Sequence, residues 1–243
     1  MPAAGTLQNT GLLCAADVTG LTHPSPNFGP RRNSAVPQLV VLHYTAMSSA
    51  QAACRTLCAP ESQVSSHYLI SETGDVMSLV DEQMRAWHAG AGSWRGIQDV
   101  NSHSIGIELA NDGFSPFSAR LMDALEALLS AILPRWNIPA HHVIAHSDMA
   151  PGRKIDPGPR FDWQRLASGG LAVWPNDTAA HLADFHPAAC AYGYSEDVDD
   201  LTRLAAFRLR FRPWATGPMD EIDAGLAVDL ATRFSVEWKP EEQ

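Results

Sequence analysis

The stretch AHSDMAPGRKIDPGPRFDW, Ala145 to Trp163, gathers His146, Asp148, Lys154, Asp156 and Asp162 among prolines and glycines. Such a composition suits a polar surface loop as well as the rim of a site. A second histidine, His43, ends the apolar run LVVL, and His146 ends the short apolar run VIA, with Asp156 ten residues further on. Two imidazoles and one carboxylate can hold zinc and leave one coordination position open for water. The spacing is not a contiguous motif, and a strand-end histidine is more often a hydrogen-bonded structural residue. Glu108 adds a proton-handling group. In SHSIGIELAN, strand alternation puts Ile105, Ile107 and Leu109 on one face and Ser104, Gly106 and Glu108 on the other. A carboxylate on that second face meets either solvent or a site, and metal-assisted hydrolysis needs a base for the proton of water. Lys154 can face negative charge developing on a carbonyl oxygen, although a surface lysine is the commoner case. The residues alone point to metal-assisted hydrolysis and leave the bond unnamed.

These groups need elements to position them. PQLVVLHYT is near-continuously apolar and reads as a central strand. SSAQAACRTLC reads as a helix closed by Pro60, and SSHYLISETGDVMSLVD as two strands around Gly74. In SPFSARLMDALEALLSAILPRW the stripe Leu121, Leu125, Leu128, Leu129 and Ile132 predicts a helix that Pro134 ends. HHVIAHS reads as a short strand, FDWQRLA as a helix and SGGLAVWPND as a linker. Strands mixed with helices over 30–168 predict an α/β domain around one sheet. The tail differs: Leu201, Leu204, Phe207 and Phe211, then Met219, Ile222, Leu226 and Leu230, recur at helical spacing. With AAHLADFHPAACAYGY before them they predict a small three-helix domain, giving domains over 1–175 and 176–243. A unit of about 55 residues is marginal alone and is expected to dock on the first. No candidate ligand lies beyond Asn176, so a chain ending there is expected to keep the constellation.

The chain has 243 residues, 45% of them hydrophobic, enough for one large core or a core with a satellite. Its net charge of -10 argues against non-specific nucleic-acid binding and suits an uncharged or zwitterionic substrate. No apolar run is long enough for a membrane span. The opening MPAAGTLQNTGLLCAADVTG lacks a basic start and an apolar core, so it does not read as a signal peptide. The expected compartment is therefore the cytoplasm, with the periplasm or outer membrane as the alternative if a leader has been trimmed. Leu12, Leu13 and Cys14 only faintly suggest a lipid-attachment box. Cys14, Cys54, Cys58 and Cys190 read as reduced, half-buried thiols.

The pieces VVLHYT, VSSHYLISETGDVMSLVDEQMRAWHAG, SWRG, NSHSIGIELAN and HSDMAPGRKIDPG follow one another over about residues 25–166. On them the chain resembles the zinc-dependent N-acetylmuramoyl-L-alanine amidases of the amidase 2 family, relatives of peptidoglycan recognition proteins and phage T7 lysozyme. The resemblance implies a central mixed sheet flanked by helices with a zinc cleft at its edge. It implies zinc on His43, His146 and Asp156, Glu108 as acid/base, and Lys154 assisting at the carbonyl. The implied reaction cuts the amide between the lactyl group of N-acetylmuramic acid, or its 1,6-anhydro form, and L-alanine, in muropeptides or peptidoglycan. YGYSEDVDDLTRLAAFRLRFRPWATGPMDEIDAGLAVDLATRF resembles a three-helix peptidoglycan-binding domain, the alternative being a brace for the catalytic domain.

By the same resemblance His67, as a substrate contact or a group standing behind the site, or Tyr68, only one of the two facing the cleft, joins Trp87 and His88 as substrate-binding candidates. Trp94 and Arg95 are further candidates, and Arg153 is a partner for a peptide carboxylate. His88 as a fourth ligand would close the site to water. His142 and Asp148 are candidates to stand behind the ligands. Two alternatives remain: a metal-free peptidoglycan-binding module and a zinc peptidase cutting within the stem peptide. The absent leader suits recycling of 1,6-anhydro-muropeptides, whereas the tail suits an envelope enzyme acting on polymer.

Overall fold

The structure, a computed structural model, describes residues 22–235, so Cys14 and the opening stretch read for a leader lie outside the described residues. The elements run β1 (Phe28–Pro30), β2 (Leu39–Tyr44), α1 (Ala50–Leu57), β3 (Tyr68–Ile70), β4 (Val76–Ser78), β5 (Met84–Ala86), α2 (Val100–His103), β6 (Ser104–Leu109) and α3 (Ala119–Trp136). They continue with β7 (Val143–Ala145), α4 (His146–Met149), α5 (Trp163–Ser168), α6 (Phe185–Tyr192), α7 (Asp200–Phe211) and α8 (Glu221–Phe234).

Five strands form a mixed sheet in the order β4-β3-β6-β2-β7; all neighbours are parallel except β3 and β4, while β1 and β5 form a separate antiparallel pair. The apolar run of β2 is explained by its place between β6 and β7 with both faces covered. Val40 and Leu42 join Ile105, Ile107 and Leu109 against Leu121, Leu125, Leu129 and Ile132 of α3. Leu39, Val41 and Ile144 point the other way and pack in one cluster with Phe185, Leu204, Phe207, Phe211, Leu226 and Leu230. The three late helices thus share a core with the second face of the sheet. His43 lies beside Glu108, and Leu42 beside Ala145, so His43, Glu108 and His146 meet at the carboxyl ends of three parallel strands.

Two expectations need correcting. α3 runs past Pro134 to Trp136: a proline in the last turn loses its own donor and crowds one carbonyl a turn back, but only two helical residues follow it. The end is closed by Asn137 in the left-handed region (φ 54°), and Glu82 holds the last turn through Trp136 Nε1 (2.6 Å) and Arg135 Nε (3.2 Å). In α7, Leu201 is 77% exposed, while Arg203 and Arg210 are buried beside Leu204, Phe207 and Phe211. The buried face is rotated toward two paired arginines, which a reading of apolar spacing assigns to solvent.

Candidate metal centre and cleft

His43, the fifth residue of β2, His146, the first of α4, and Asp156 bring three ligand atoms together. His43 Nδ1 and His146 Nδ1 lie 2.9 Å apart, and each lies 2.9 Å from Asp156 Oδ2. All three residues are buried. The loop that carries Asp156 is folded back on α4, with Ser147 N–H donating to the Asp156 carbonyl (3.0 Å) and Lys154 N–H to that of Ala150 (3.1 Å). Burial, and then His146, pushes the His43 imidazole down to about 4, so it is neutral near pH 7. Burial works to raise the Asp156 carboxyl, but the His146 and His43 rings against it, wherever a proton sits on a facing nitrogen, outweigh it and hold the group below the usual carboxylate range.

The donor set fits a metal ion. The outer nitrogen of His146, Nε2, lies 2.8 Å from the Ala89 carbonyl, which only accepts, so this nitrogen carries the proton. In the neutral ring Nδ1 is then a lone pair facing the carboxylate oxygen and the other imidazole. Protonating both rings would place two positive charges on nitrogens 2.9 Å apart in a buried pocket. A single cation among the three atoms satisfies all of them.

Glu108 stands beside His43 on the neighbouring strand and lines the same cavity. Its Oε2 is sealed from water and meets no hydrogen-bond partner. Burial, and then the Asp156 charge, raises its carboxyl well above the ordinary range. The cavity, of about 550 Å³, is lined by His43, Trp87, His88, Glu108, His146, Arg153, Lys154 and Asp156, with Tyr44, Met47, Thr56 and Val64 forming a less polar wall. Arg153 donates to the carbonyls of Ala89 and Ala91 at the rim.

Four of the substrate-binding candidates lie away from this cavity. His67 sits a layer behind it: Nδ1 accepts from Gly106 N–H (2.9 Å), and burial, then Arg31, pushes the ring down to about 3. Alternation sends Tyr68 to the α3 face, where its hydroxyl donates to Glu82 Oε1 (2.7 Å). Trp94 is fully buried, edge-on to Tyr192 and Tyr194 at 5.4 and 5.0 Å. Arg95 follows it under the late helices, donating to the Tyr192 carbonyl (3.0 Å). His142, which donates to the Gln38 carbonyl (2.8 Å), stands at the far end of β7.

Asp148 does stand behind a ligand. Fully buried, it accepts from Ala145 N–H (2.8 Å), the Tyr194 hydroxyl (2.6 Å) and Arg210 Nη1 (2.6 Å), whose guanidinium lies 4.1 Å from the Trp163 ring centroid. Sequence reasoning missed Arg210 altogether. It also passed over Gly106, where a Cβ would fall 2.4 Å from His88 Cγ. A glycine within a strand was the available signal, since it marks the close approach of another group.

The family model for N-acetylmuramoyl-L-alanine amidase matches residues 32–159 and so contains every ligand candidate and Glu108. The chain belongs to the N-acetylmuramoyl-L-alanine amidase family. This amidase is 36% identical over 210 residues to N-acetylmuramoyl-L-alanine amidase AmiD of Escherichia coli, covering 72% of its own chain and 75% of AmiD. It is 31% identical to 1,6-anhydro-N-acetylmuramyl-L-alanine amidase AmpD of Citrobacter freundii, over 59% of its chain and 86% of AmpD. Among solved structures it resembles the complex of Escherichia coli AmiD with anhydro-N-acetylmuramic acid-L-Ala-D-gamma-Glu-L-Lys, at TM-score 0.75 and 34% identity over 83% of this chain and 92% of that one. It also resembles AmpDh3 of Pseudomonas aeruginosa in complex with anhydromuramic pentapeptide, at TM-score 0.74 and 30% identity over 91% of this chain and 99% of that one. Coverage that large takes in the late helices of the amidase as well as its sheet.

Proposed function

We propose that this amidase uses zinc to hydrolyse the amide joining the lactyl carbonyl of N-acetylmuramic acid, or its 1,6-anhydro form, to L-alanine in muropeptides. The observation that carries the reading is the 2.9 Å triangle of His43, His146 and Asp156, with Glu108 beside it lining the same cavity, its Oε2 without a hydrogen-bond partner. When bound, zinc supplies Lewis acidity and makes water a nucleophile near neutral pH. His43, His146 and Asp156 hold it. As the carboxylate, Glu108 takes the proton of the attacking water, and its raised proton affinity lets it hold that proton and pass it to the departing amine of L-alanine as the C–N bond breaks. Lys154 places a positive charge on the same cavity wall, where it offsets the oxyanion of the tetrahedral carbon. Trp87, Met47 and Val64 give the sugar or the stem an apolar surface, while Arg153 shapes the rim. The anhydro ligands of the AmiD and AmpDh3 complexes support a muropeptide of that kind.

For the late helices, the likeness of their sequence to a peptidoglycan-binding domain supports attachment to polymer. A second reading, a brace for the catalytic domain, is favoured by the core they share with Leu39, Val41 and Ile144 and by the Arg210–Asp148 pair. The deciding experiment is mass analysis of a defined muropeptide incubated with zinc-loaded and zinc-stripped protein. The expected products are free N-acetylmuramic acid, or its 1,6-anhydro form, and a peptide with a new L-alanine amine, formed only with metal. Cleavage inside the stem would make the protein a peptidase, and binding without cleavage would make it a recognition module.

A further inference from the structure

His146 reaches its metal-binding tautomer in one step, through the Ala89 carbonyl. His43 has no carbonyl at its outer nitrogen. Its Nε2 faces His88 Nδ1 at 3.0 Å; His88 Nε2 faces Ser104 Oγ at 3.1 Å; and Ser104 Oγ lies 2.5 Å from the Val100 carbonyl. The chain of bonds can be read only from its closed end. A carbonyl accepts, so the single hydroxyl proton of Ser104 goes to Val100. The hydroxyl then offers only lone pairs to His88, whose proton must sit on Nε2. The neutral His88 ring is left with an accepting Nδ1, so His43 donates from Nε2 and its Nδ1 is bare.

We propose that Ser104 and His88 are positioning residues that lock His43 in the tautomer able to bind the metal. This rests on the zinc reading given above. The lock has something to oppose: Asp156 Oδ2, 2.9 Å from His43 Nδ1, draws a proton onto the ligand atom whenever the metal is away. Placing it there would reverse every bond of the relay and require Ser104 to abandon the Val100 carbonyl. Gly106 belongs to the same device. Any side chain there would fall on the His88 ring, which lies across the strand at this point. His88 is thus neither a fourth ligand nor chiefly a substrate contact, although it lines the cavity.

Two measurements on the full chain test this. In the first, nitrogen NMR of the imidazole rings follows stripped and zinc-loaded wild-type protein. The expected result is a proton on His43 Nε2 and a bare Nδ1 even without metal. A His43 ring protonated at Nδ1 in the stripped protein overturns the proposal. In the second, zinc affinity is read by competition with a chromophoric chelator in His88→Leu and His88→Asn. These side chains are near in shape, but only Asn offers an acceptor where Nδ1 stood. Loss of a partner behind a ligating histidine typically weakens metal binding by about 10–100-fold, so Leu is expected to lose that much and Asn only a few-fold. Equal affinity in wild type and the folded Leu variant overturns the proposal. If the variants fail to fold, the wild-type spectra still decide. A wild-type chain that never binds zinc would sink the zinc reading instead, and the tautomer of the stripped protein would still be measured on its own.

Discussion

The two histidines of the metal centre are supported from different parts of the chain. His43 leans on His88 and Ser104, both inside the segment that matches the amidase family model. His146 opens α4, and Asp148 on that helix is gripped by Tyr194 and Arg210, which lie beyond the matching segment. One arm is therefore built into the sheet, and the other is borrowed from the late helices. The residues that bind the metal and those that hold it in place have different boundaries in sequence. A family match delimits the first set better than the second.

The strongest way to break the comparison is to remove the vertex both arms share. Asp156→Ala is expected to abolish tight zinc binding and to reduce muropeptide cleavage to background, as read by elemental analysis and mass. Next is a chain ending near Asn176. It keeps every ligand but uncovers Leu39, Val41 and Ile144 and removes the cation from Asp148. It is expected to lose cooperative melting and zinc together, contrary to the expectation drawn from ligand positions alone. A truncated chain that melts sharply and still binds zinc would show that the borrowed arm is dispensable.

Glu108→Gln separates chemistry from both arms. Zinc should be retained while kcat falls by roughly 10²–10⁴, the usual scale for a positioned acid or base. It also carries a pH signature. Burial raises the folded carboxyl above its unfolded value of about 4.3, so the stability this gives is fully present below that pH and is lost as pH rises through the folded value. Melting of stripped wild-type protein should therefore fall behind that of stripped Glu108→Gln as pH rises from 4 to 8. Parallel curves would mean that Glu108 is not buried as a neutral acid. The smallest effects come from the borrowed arm taken bond by bond. Arg210→Met leaves Asp148 buried without its cation and should cost about 3–5 kcal/mol, with weaker zinc binding through α4. Tyr194→Phe removes one hydrogen bond to the same carboxylate and should cost about 1.5–3 kcal/mol. Chemical denaturation beside chelator competition measures both, and full zinc affinity in a destabilised Arg210→Met would confine Arg210 to the fold.

What the sequence made legible was periodic or terminal. Alternation in SIGIEL set Glu108 against the isoleucines, and the apolar runs before His43 and His146 ended where the structure turns them into the cleft. What it hid depended on what covers what. Tyr68 and Trp94 carry the chemistry of substrate contacts, but α3 covers the first and the late helices bury the second. Arg210 is a charge in an amphipathic helix, a position read as solvent unless the buried carboxylate that meets it is known. His88 was read as a cleft residue, and its bond to His43 depends on the bare backbone of Gly106, a contact across two elements that no local spacing encodes.

The place of β2 between β6 and β7 also matters while the chain is being made. β2 emerges from the ribosome long before either of its neighbours, since β6 begins only at Ser104 and β7 at Val143. Until then the run from Leu39 to Leu42 has two open edges and two uncovered faces, the kind of segment that pairs with other nascent chains. The covering of its second face comes later still, from helices after Phe185. Yield in the cell should therefore depend on holding β2 apart during synthesis, and chaperone supply should affect this protein more than its final stability suggests.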